Sequence, residues 1–145
     1  MPLTVKRIVL WRTEVDNKPG TLACVLEPLA QAGADLRLGM GYRHPSSEGK
    51  AAIEIYPVAG KKLIAAAKAA GLSPSTIPAL LVEGANKPGL GHALACAVAG
   101  AGVNLTFFVA QVVGKTCSAV MGFETEEDAK TAVPAIKKAT QAKKR

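Results

Sequence analysis

The sequence predicts an α+β protein that contains two copies of one unit, each with the order strand, helix, strand, strand, helix. The main observation is a repeat, because the residues Asn17 to Gly20 recur unchanged as Asn86 to Gly89, 69 residues later. The correspondence continues without a gap to Leu36 and Leu105. A second observation is that apolar patterns follow both tetrapeptides in the same order. These observations indicate a tandem duplication.

The composition fits two small units with an aliphatic core. The chain has 145 residues, of which 49% are hydrophobic and only 4% are aromatic. A chain of this kind is globular rather than disordered. We expect the first unit at 1–77 and the second unit at 78–145, with a basic C-terminal tail on the second.

The elements of the first unit follow from the spacing of its apolar residues. Thr4 to Glu14 alternates and is rich in β-branched residues, which predicts a single strand. After the turn that ends at Gly20, apolar residues recur at helical spacing as far as Gly33, which is suited to end a helix. The remaining predicted elements are the strands Asp35–Tyr42 and Ala51–Tyr56 and the alanine-rich helix Lys61–Ala70.

The second unit repeats this order from its own tetrapeptide onward. A helix is predicted as far as Gly102, and strands are predicted at Asn104–Val113 and Cys117–Phe123. Thr125 is expected to cap a further helix, because three acidic residues follow it and acidic groups favour the positive end of a helix. Pro134 predicts a kink in that helix.

Two places depart from a simple duplication. The segment between Gly71 and Asn86 has to provide the last strand of one unit and the first strand of the next. It holds two prolines, so it contains either two short strands or one bent strand. Residues 137–145 have no strand pattern, and the second unit therefore lacks a clear final strand.

Charge, cysteines and hydropathy exclude several classes of protein. The net charge is +7, but five of the positive charges lie in the last nine residues, so binding of nucleic acid is not expected. The chain shows no membrane span and no signal peptide. Cys24 and Cys96 lie on apolar helical stretches, where free thiols behave as small core residues. Three cysteines cannot all pair, which predicts reduced thiols in a cytoplasmic protein.

The repeated turn has a chemistry of its own. The first amides of a helix have no partners within the helix, and they point outward at its positive end, which suits a carboxylate. Gly20 and Gly89 allow a ligand to approach the backbone closely. Asn17 and Asn86 can both donate and accept, so each turn is a candidate site for a small zwitterion. Alternatively, the same residues serve only to form the turn.

The repeated Asn-Lys-Pro-Gly turn, the apolar helix and glycine after it, and the pair Asp35-Leu36 repeated as Asn104-Leu105 together resemble the ACT domain. The resemblance covers nearly the whole chain. It implies two ferredoxin-like βαββαβ units, with antiparallel sheets and helices on one face. It also implies an amino-acid-binding regulatory protein without catalysis of its own. The partners implied are an amino acid and a partner enzyme. Edge strands in half-sized sheets favour pairing, so a homodimer is also expected.

The residues that match the family's ligand site are at the two turns and near the second strand of each unit. They are Asn17, Gly20, Asp35, Asn86, Gly89 and Asn104. Thr21, Leu90, Gly91 and His92 are further candidates for pocket lining. Because Leu90 to His92 differ from Thr21 to Ala23, we do not expect two equivalent sites.

No catalytic residues, metal site or cofactor are expected. The two histidines are far apart in the sequence, and the cysteines lack metal-ligand spacing. Two alternatives stay open beside amino-acid sensing. One is a ligand-free protein–protein interaction module of the same fold, and the other is nucleic-acid binding by the basic tail at 137–145.

Overall fold

A computed structural model describes residues 3–44, 46 and 48–142 of the chain. The chain consists of two compact units, one made of residues 9–76 and the other of residues 1–8 together with 77–145. We call them the inserted unit and the split unit, because the first interrupts the sequence of the second. The predicted boundaries of 1–77 and 78–145 differ from this division mainly in the first eight residues.

The inserted unit has a four-stranded antiparallel sheet and two helices. Its elements are β2 (Trp11–Asp16), α1 (Thr21–Gln31), β3 (Leu38–Arg43), β4 (Lys50–Tyr56), α2 (Lys61–Ala69) and β5 (Ser73–Pro74). The strand order across the sheet is β3-β4-β2-β5. Alternate residues of the sheet, including Trp11, Ile53 and Ile55, pack against Val25 and Leu29 of α1 to form the core. The sheet therefore has one face covered by helices.

The split unit has the same architecture with one strand taken from elsewhere in the sequence. Its elements are β1 (Thr4–Ile8), β6 (Ala79–Ala85), α3 (Leu90–Gly100), β7 (Leu105–Val113), β8 (Thr116–Phe123) and α4 (Glu126–Ala142). Its strand order is β1-β6-β8-β7. The core includes Leu80, Met121 and Phe123 from the sheet, with Leu94 and Ile136 from the helices. The predicted α+β fold with two ferredoxin-like units is confirmed.

Strand β1 occupies the edge position that the final strand of a βαββαβ unit would take. It pairs antiparallel with β6, from Thr4 opposite Glu83 to Ile8 opposite Ala79. Arg7 also forms an ion pair with Glu126 at the start of α4. The missing final strand of the second unit is thus supplied from the start of the sequence.

The prediction of one continuous strand at Thr4–Glu14 was wrong, because this segment forms two strands, β1 and β2. The chain leaves one sheet after Ile8 and enters the other at Trp11, and the two strands belong to different units. The segment between the repeats contains two strands, namely β5 with two residues and β6 with seven. Of the two alternatives for this junction, the pair of strands is the one found.

The helix termini agree with the sequence. The Asp128 amide donates to the Thr125 hydroxyl oxygen at 3.0 Å, which is the predicted cap of α4. The helix continues through Pro134 to Ala142. Of the basic tail, Lys143, Lys144 and Arg145 lie outside the described residues.

The thiols differ from expectation in their burial. Cys117 is buried, whereas Cys24 and Cys96 are exposed, and all three are unpaired. The expectation that Cys24 and Cys96 would be core residues was wrong, because both lie on the outer side of their helices. None of the described helices is long and apolar enough to cross a bilayer.

Candidate functional site

The two repeated turns have the same backbone geometry. Gly20 precedes α1 with a φ of 88°, and Gly89 precedes α3 with a φ of 83°. These are left-handed values that favour glycine over any residue with a side chain. The Asn17 amide donates to the Gly49 carbonyl, and the Asn86 amide donates to the Lys115 carbonyl, both at 2.8 Å. The duplication has therefore preserved the turn and its attachment to the neighbouring hairpin.

Each turn leaves the start of a helix open to a ligand. The Cys24 amide donates to the Gly20 carbonyl at 3.0 Å, which is the first bond of the helical ladder in α1. Gly20 has no side chain, so it provides no cap for the amides of the first turn. The amides of Leu22 and Ala23 consequently have no carbonyl one turn earlier in the helix to bind. This end of α1 is a positive, hydrogen-bond-donating surface.

A groove of about 270 Å³ lies beside the first turn, within the inserted unit. Three segments form it, namely the end of β2 with the turn, the start of α1, and the paired strands β3 and β4. The lining residues are Val15, Asp16, Asn17, Lys18, Thr21, Leu22, Gly41, Tyr42, Arg43, Ala51, Ala52 and Ile53. Two predicted site residues, Asn17 and Thr21, lie in this groove. Gly20 is beside it, as the residue that precedes α1.

Gly41 of the edge strand β3 lines the groove, and Gly39 lies two residues before it on the same strand. Gly41 pairs with Ile53 and Gly39 pairs with Ile55, so both glycines lie on the face of the sheet that carries the core. A Cβ on Gly41 would have Leu22 Cδ1 as its nearest contact at 4.0 Å, and one on Gly39 would meet nothing within 4 Å. The absence of a side chain at Gly41 therefore leaves room for the groove between β3 and Leu22 of α1.

The edge strand beside the second turn has larger residues at the corresponding positions. Phe108 pairs with Met121 and Ala110 pairs with Ala119, so these residues occupy the places of Gly39 and Gly41. Both lie 69 residues after their counterparts, as the repeat requires. A phenylalanine and an alanine therefore stand where the first unit has two glycines.

The other predicted site residues at the second turn differ in their burial. Leu90 is 7% exposed and belongs to the core of the split unit. Gly91 is half-buried, and His92 is exposed. His92 has Cys96 one helical turn away, with 3.4 Å between Nε2 and Sγ. The residues around the two turns therefore differ, and the expectation that the two are not equivalent as ligand sites stays a prediction.

Asp35 and Asn104 lie far from the turns of their own units. Asp35 precedes the start of β3, which pairs with the end of β4, whereas Asn17 adjoins the start of β4. The seven residues of β4 separate the two by roughly 20 Å. Asn104 has the same position relative to Asn86, and both Asp35 and Asn104 are exposed. Within one unit, these residues do not share a site with the turn.

An ion pair fixes the charges at the mouth of the groove. Lys50 Nζ lies 2.6 Å from Asp16 Oδ1. The hydrogen bond from this ammonium lowers the pKa of the Asp16 carboxyl, and the same bond raises the pKa of Lys50. Asp16 is therefore ionised at neutral pH, and the positive charge of Lys50 compensates its negative charge.

Behind the groove, Tyr42 contacts the one buried acid of the inserted unit's sheet that the structure describes. The Tyr42 hydroxyl donates to Glu54 Oε2 at 2.8 Å, and Glu54 is fully buried. Burial, with this hydrogen bond as a second cause, raises the pKa of Tyr42. Both side chains lie on the face of the sheet opposite the core, because Tyr42 alternates with Gly41 and Arg43 of the core face.

Gly41, which lines the groove two residues after Gly39, was not predicted as part of the site. The signal is present in the sequence, because Gly39 and Gly41 are replaced by Phe108 and Ala110 at a distance of 69 residues. Comparing the two repeats beyond Leu36 would have found it.

Two ferredoxin-like units, each with a glycine turn before its first helix, form the architecture that the resemblance to a tandem pair of ACT domains implied. Solved structures share it. The chain matches protein BT0572 from Bacteroides thetaiotaomicron with a TM-score of 0.71 and 15% identity, over 90% of this chain and 88% of that one. It matches the ligand-free regulatory subunit of aspartate kinase from Thermus thermophilus with a TM-score of 0.62 and 16% identity, over 96% and 97% of the two chains.

A longer enzyme contains a similar part. The chain matches Clostridium acetobutylicum aspartate kinase with a TM-score of 0.57 and 18% identity, over 97% of this chain but only 34% of the enzyme. At such identities, the comparisons establish the shared fold. No family model matches the sequence, and no curated protein matches it.

Proposed function

We propose that this protein is a small-molecule-binding regulatory protein whose ligand is an amino acid, without catalysis of its own. The observation that carries the proposal is the groove beside Asn17, which combines an open helix start with apolar walls. The regulatory subunit from Thermus thermophilus, which has the same architecture, is a regulatory part of an enzyme by its own description. Similarity of fold supports a regulatory role for this chain.

The groove suits an amino acid in size and chemistry. Its volume of about 270 Å³ lies below the range of roughly 300 to 1,000 Å³ that drug-sized ligands occupy. The α-carboxylate accepts hydrogen bonds from the first amides of α1, each contributing about 1.5–3 kcal/mol. The Asn17 side-chain oxygen accepts from the α-ammonium, and Val15, Leu22 and Ile53 contact the carbon chain. Two or three such bonds together with apolar contact are enough for micromolar affinity.

A thermal-shift screen with a groove-filling variant tests this function. At a concentration 100 times its dissociation constant, a ligand stabilises the native state by about 2.7 kcal/mol. We expect at least one of the twenty amino acids, at millimolar concentration, to raise the unfolding temperature by several degrees. Gly41→Val should abolish this rise, because the valine methyl groups would occupy the groove.

Ala110→Val is the matched control, since it enlarges the corresponding position of the split unit. It should leave the ligand effect unchanged. If no amino acid stabilises the wild-type protein, the sensor function is wrong and the ligand-free interaction module is favoured. If Gly41→Val binds as well as wild type, the ligand occupies a different site.

We also propose that the protein forms a homodimer through β7. This edge strand has nine residues and no charged side chain, and Phe108, Val112 and Val113 are 39%, 50% and 69% exposed. The opposite edge of the same sheet, β1, carries Lys6 and Arg7. Long, uncharged edge strands pair readily with another strand. A second copy of β7 is a self-complementary partner across a two-fold axis.

The proposed target of this regulation is an enzyme. The chain corresponds to about a third of the Clostridium aspartate kinase, which is described as an allosteric enzyme. By this proposal, ligand binding in the groove changes the surface that the dimer offers to such an enzyme.

A further inference from the structure

We propose that the groove selects an amino acid with an acidic side chain, an inference that rests on the proposed function. The reason is an excess of unpaired positive charge around the groove. Its charged lining residues are Asp16, Lys18 and Arg43, and the single acid among them is already paired with Lys50. The remaining charge is complementary to a ligand with two carboxylates.

Arg43 has an unusual place for a cation. It pairs with Ala51 at the end of β3, on the same face as Gly41 and Ile53, which is the face of the core. Its neighbours on that face are small or apolar. Among the residues that the structure describes, no acidic side chain lies within ion-pair distance of Arg43 or Lys18. The guanidinium is available to bind a carboxylate with two parallel hydrogen bonds.

The positive end of α1 lies at the other side of the same groove. A ligand whose α-carboxylate binds the first amides of α1 therefore has its side chain directed along β3. Arg43 and Lys18 are both exposed, so a ligand carboxylate reaches them without displacing a protein partner. One carboxylate serves the general recognition of amino acids, and the second provides selectivity.

The repeat provides an internal comparison for these charges. Asp16 and Arg43 correspond to Ala85 and Val112 in the second unit, and Lys50 corresponds to Thr116 by its place in the sheet. The turn itself is unchanged, because Lys18 corresponds to Lys87 and the glycine is conserved between the copies. The charges at these three positions are therefore not required to form the turn, since the second copy folds without them.

Calorimetric titration of the wild-type protein with two isosteric pairs of amino acids tests the inference. We expect glutamate or aspartate to bind about tenfold more tightly than glutamine or asparagine, as one additional charge-assisted hydrogen bond predicts. Arg43→Gln should weaken binding of the acidic ligand by about tenfold and change binding of its amide by less than about twofold. Arg37→Gln, which removes the same charge from an exposed position outside the groove, should leave both affinities unchanged.

The outcomes separate this inference from the proposed function. If the amides bind as tightly as the acids, or if Arg43→Gln lowers both affinities equally, acidic selectivity is wrong while amino-acid binding stands. If glutarate binds as tightly as glutamate, the α-ammonium is not recognised and the ligand class is dicarboxylates. If no amino acid binds the wild-type protein, both proposals are wrong.

Discussion

Replacement of Gly122 by alanine should destabilise the split unit although it adds only a methyl group. Gly122 is buried in β8 and pairs with Phe107 across a β-bulge. A Cβ at this position would lie 2.2 Å from Phe107 Cε1, 2.5 Å from Phe107 Cδ1 and 2.6 Å from Thr106 Oγ1. Since ordinary carbon contacts begin near 3.5 Å, the ring would have to move by more than 1 Å.

The expected magnitude is the difference between two effects. Overpacking of a well-packed site costs about 1–3 kcal/mol. Alanine is favoured over glycine within a strand by about 0.5–1 kcal/mol, which offsets part of this cost. The net loss of unfolding free energy should be about 1–2 kcal/mol, and unfolding in urea measures it as a lower transition midpoint.

Gly39→Ala is the matched control, because Gly39 also lies within a strand but has open space around its Cβ position. It should leave the unfolding free energy unchanged or raise it by up to about 1 kcal/mol. Combination of Gly122→Ala with Phe107→Leu should be less destabilising than the sum of the single changes, because both act on one contact. A Gly122→Ala protein as stable as wild type would refute the reasoning.

Two further predictions concern charge and assembly. The hydrogen bond with Arg7 lowers the pKa of Glu126, so its stabilising effect is present above the ordinary value of 4.5 and is lost as the pH falls through the lowered value. Glu126→Gln should therefore be less stable than wild type in urea at neutral pH but not well below pH 4.5. Glu127→Gln, at the same helix end, should show a smaller difference in stability. A loss of stability in Glu126→Gln that persists in acid would contradict this explanation. Val112→Lys should convert the proposed dimer into a monomer in sedimentation velocity, because a charge on an edge strand opposes pairing. Thr4→Lys, on the other edge of the sheet, should leave the dimer intact. If Val112→Lys still sediments as a dimer, β7 is not the interface.

Much of the fold was predictable because the local signals are strong. The strand predicted at Cys117–Phe123 is found at Thr116–Phe123, and the helix predicted at Lys61–Ala70 is found at Lys61–Ala69. In both cases, a regular apolar period and a nearby turn mark the element.

The assignment of strands to sheets was less predictable. Ile8, Leu10 and Trp11 are buried while Val9 is 46% exposed, so the alternation breaks where the chain passes from one unit to the other. No proline or glycine marks this point, and the whole segment favours strands. The choice of β6 as the partner of β1 depends on contacts about 79 residues away, which local patterns do not contain.

The site was predictable as far as its backbone. Both turns and their glycines lie where the repeat places them. The side chains that distinguish the two copies come from the edge strand of each sheet, where Gly41 lines the groove and Ala110 takes the corresponding place in the second unit. Register between β3 and β4 decides which residues face the groove, and the sequence of one strand alone does not specify that register.

The use of β1 as the final strand of the split unit's sheet affects the order in which the two units fold during synthesis. Thr4 leaves the ribosome early, but its partner Glu83 follows 79 residues later, after the whole inserted unit. The inserted unit is continuous in sequence, so its sheet can close while β1 still lacks a partner. The split unit completes its sheet only when β6 and β8 have emerged, and its pairing of distant segments is intrinsically slower. Strand β1 is thus synthesised before the inserted unit but is among the last strands to be incorporated into a sheet.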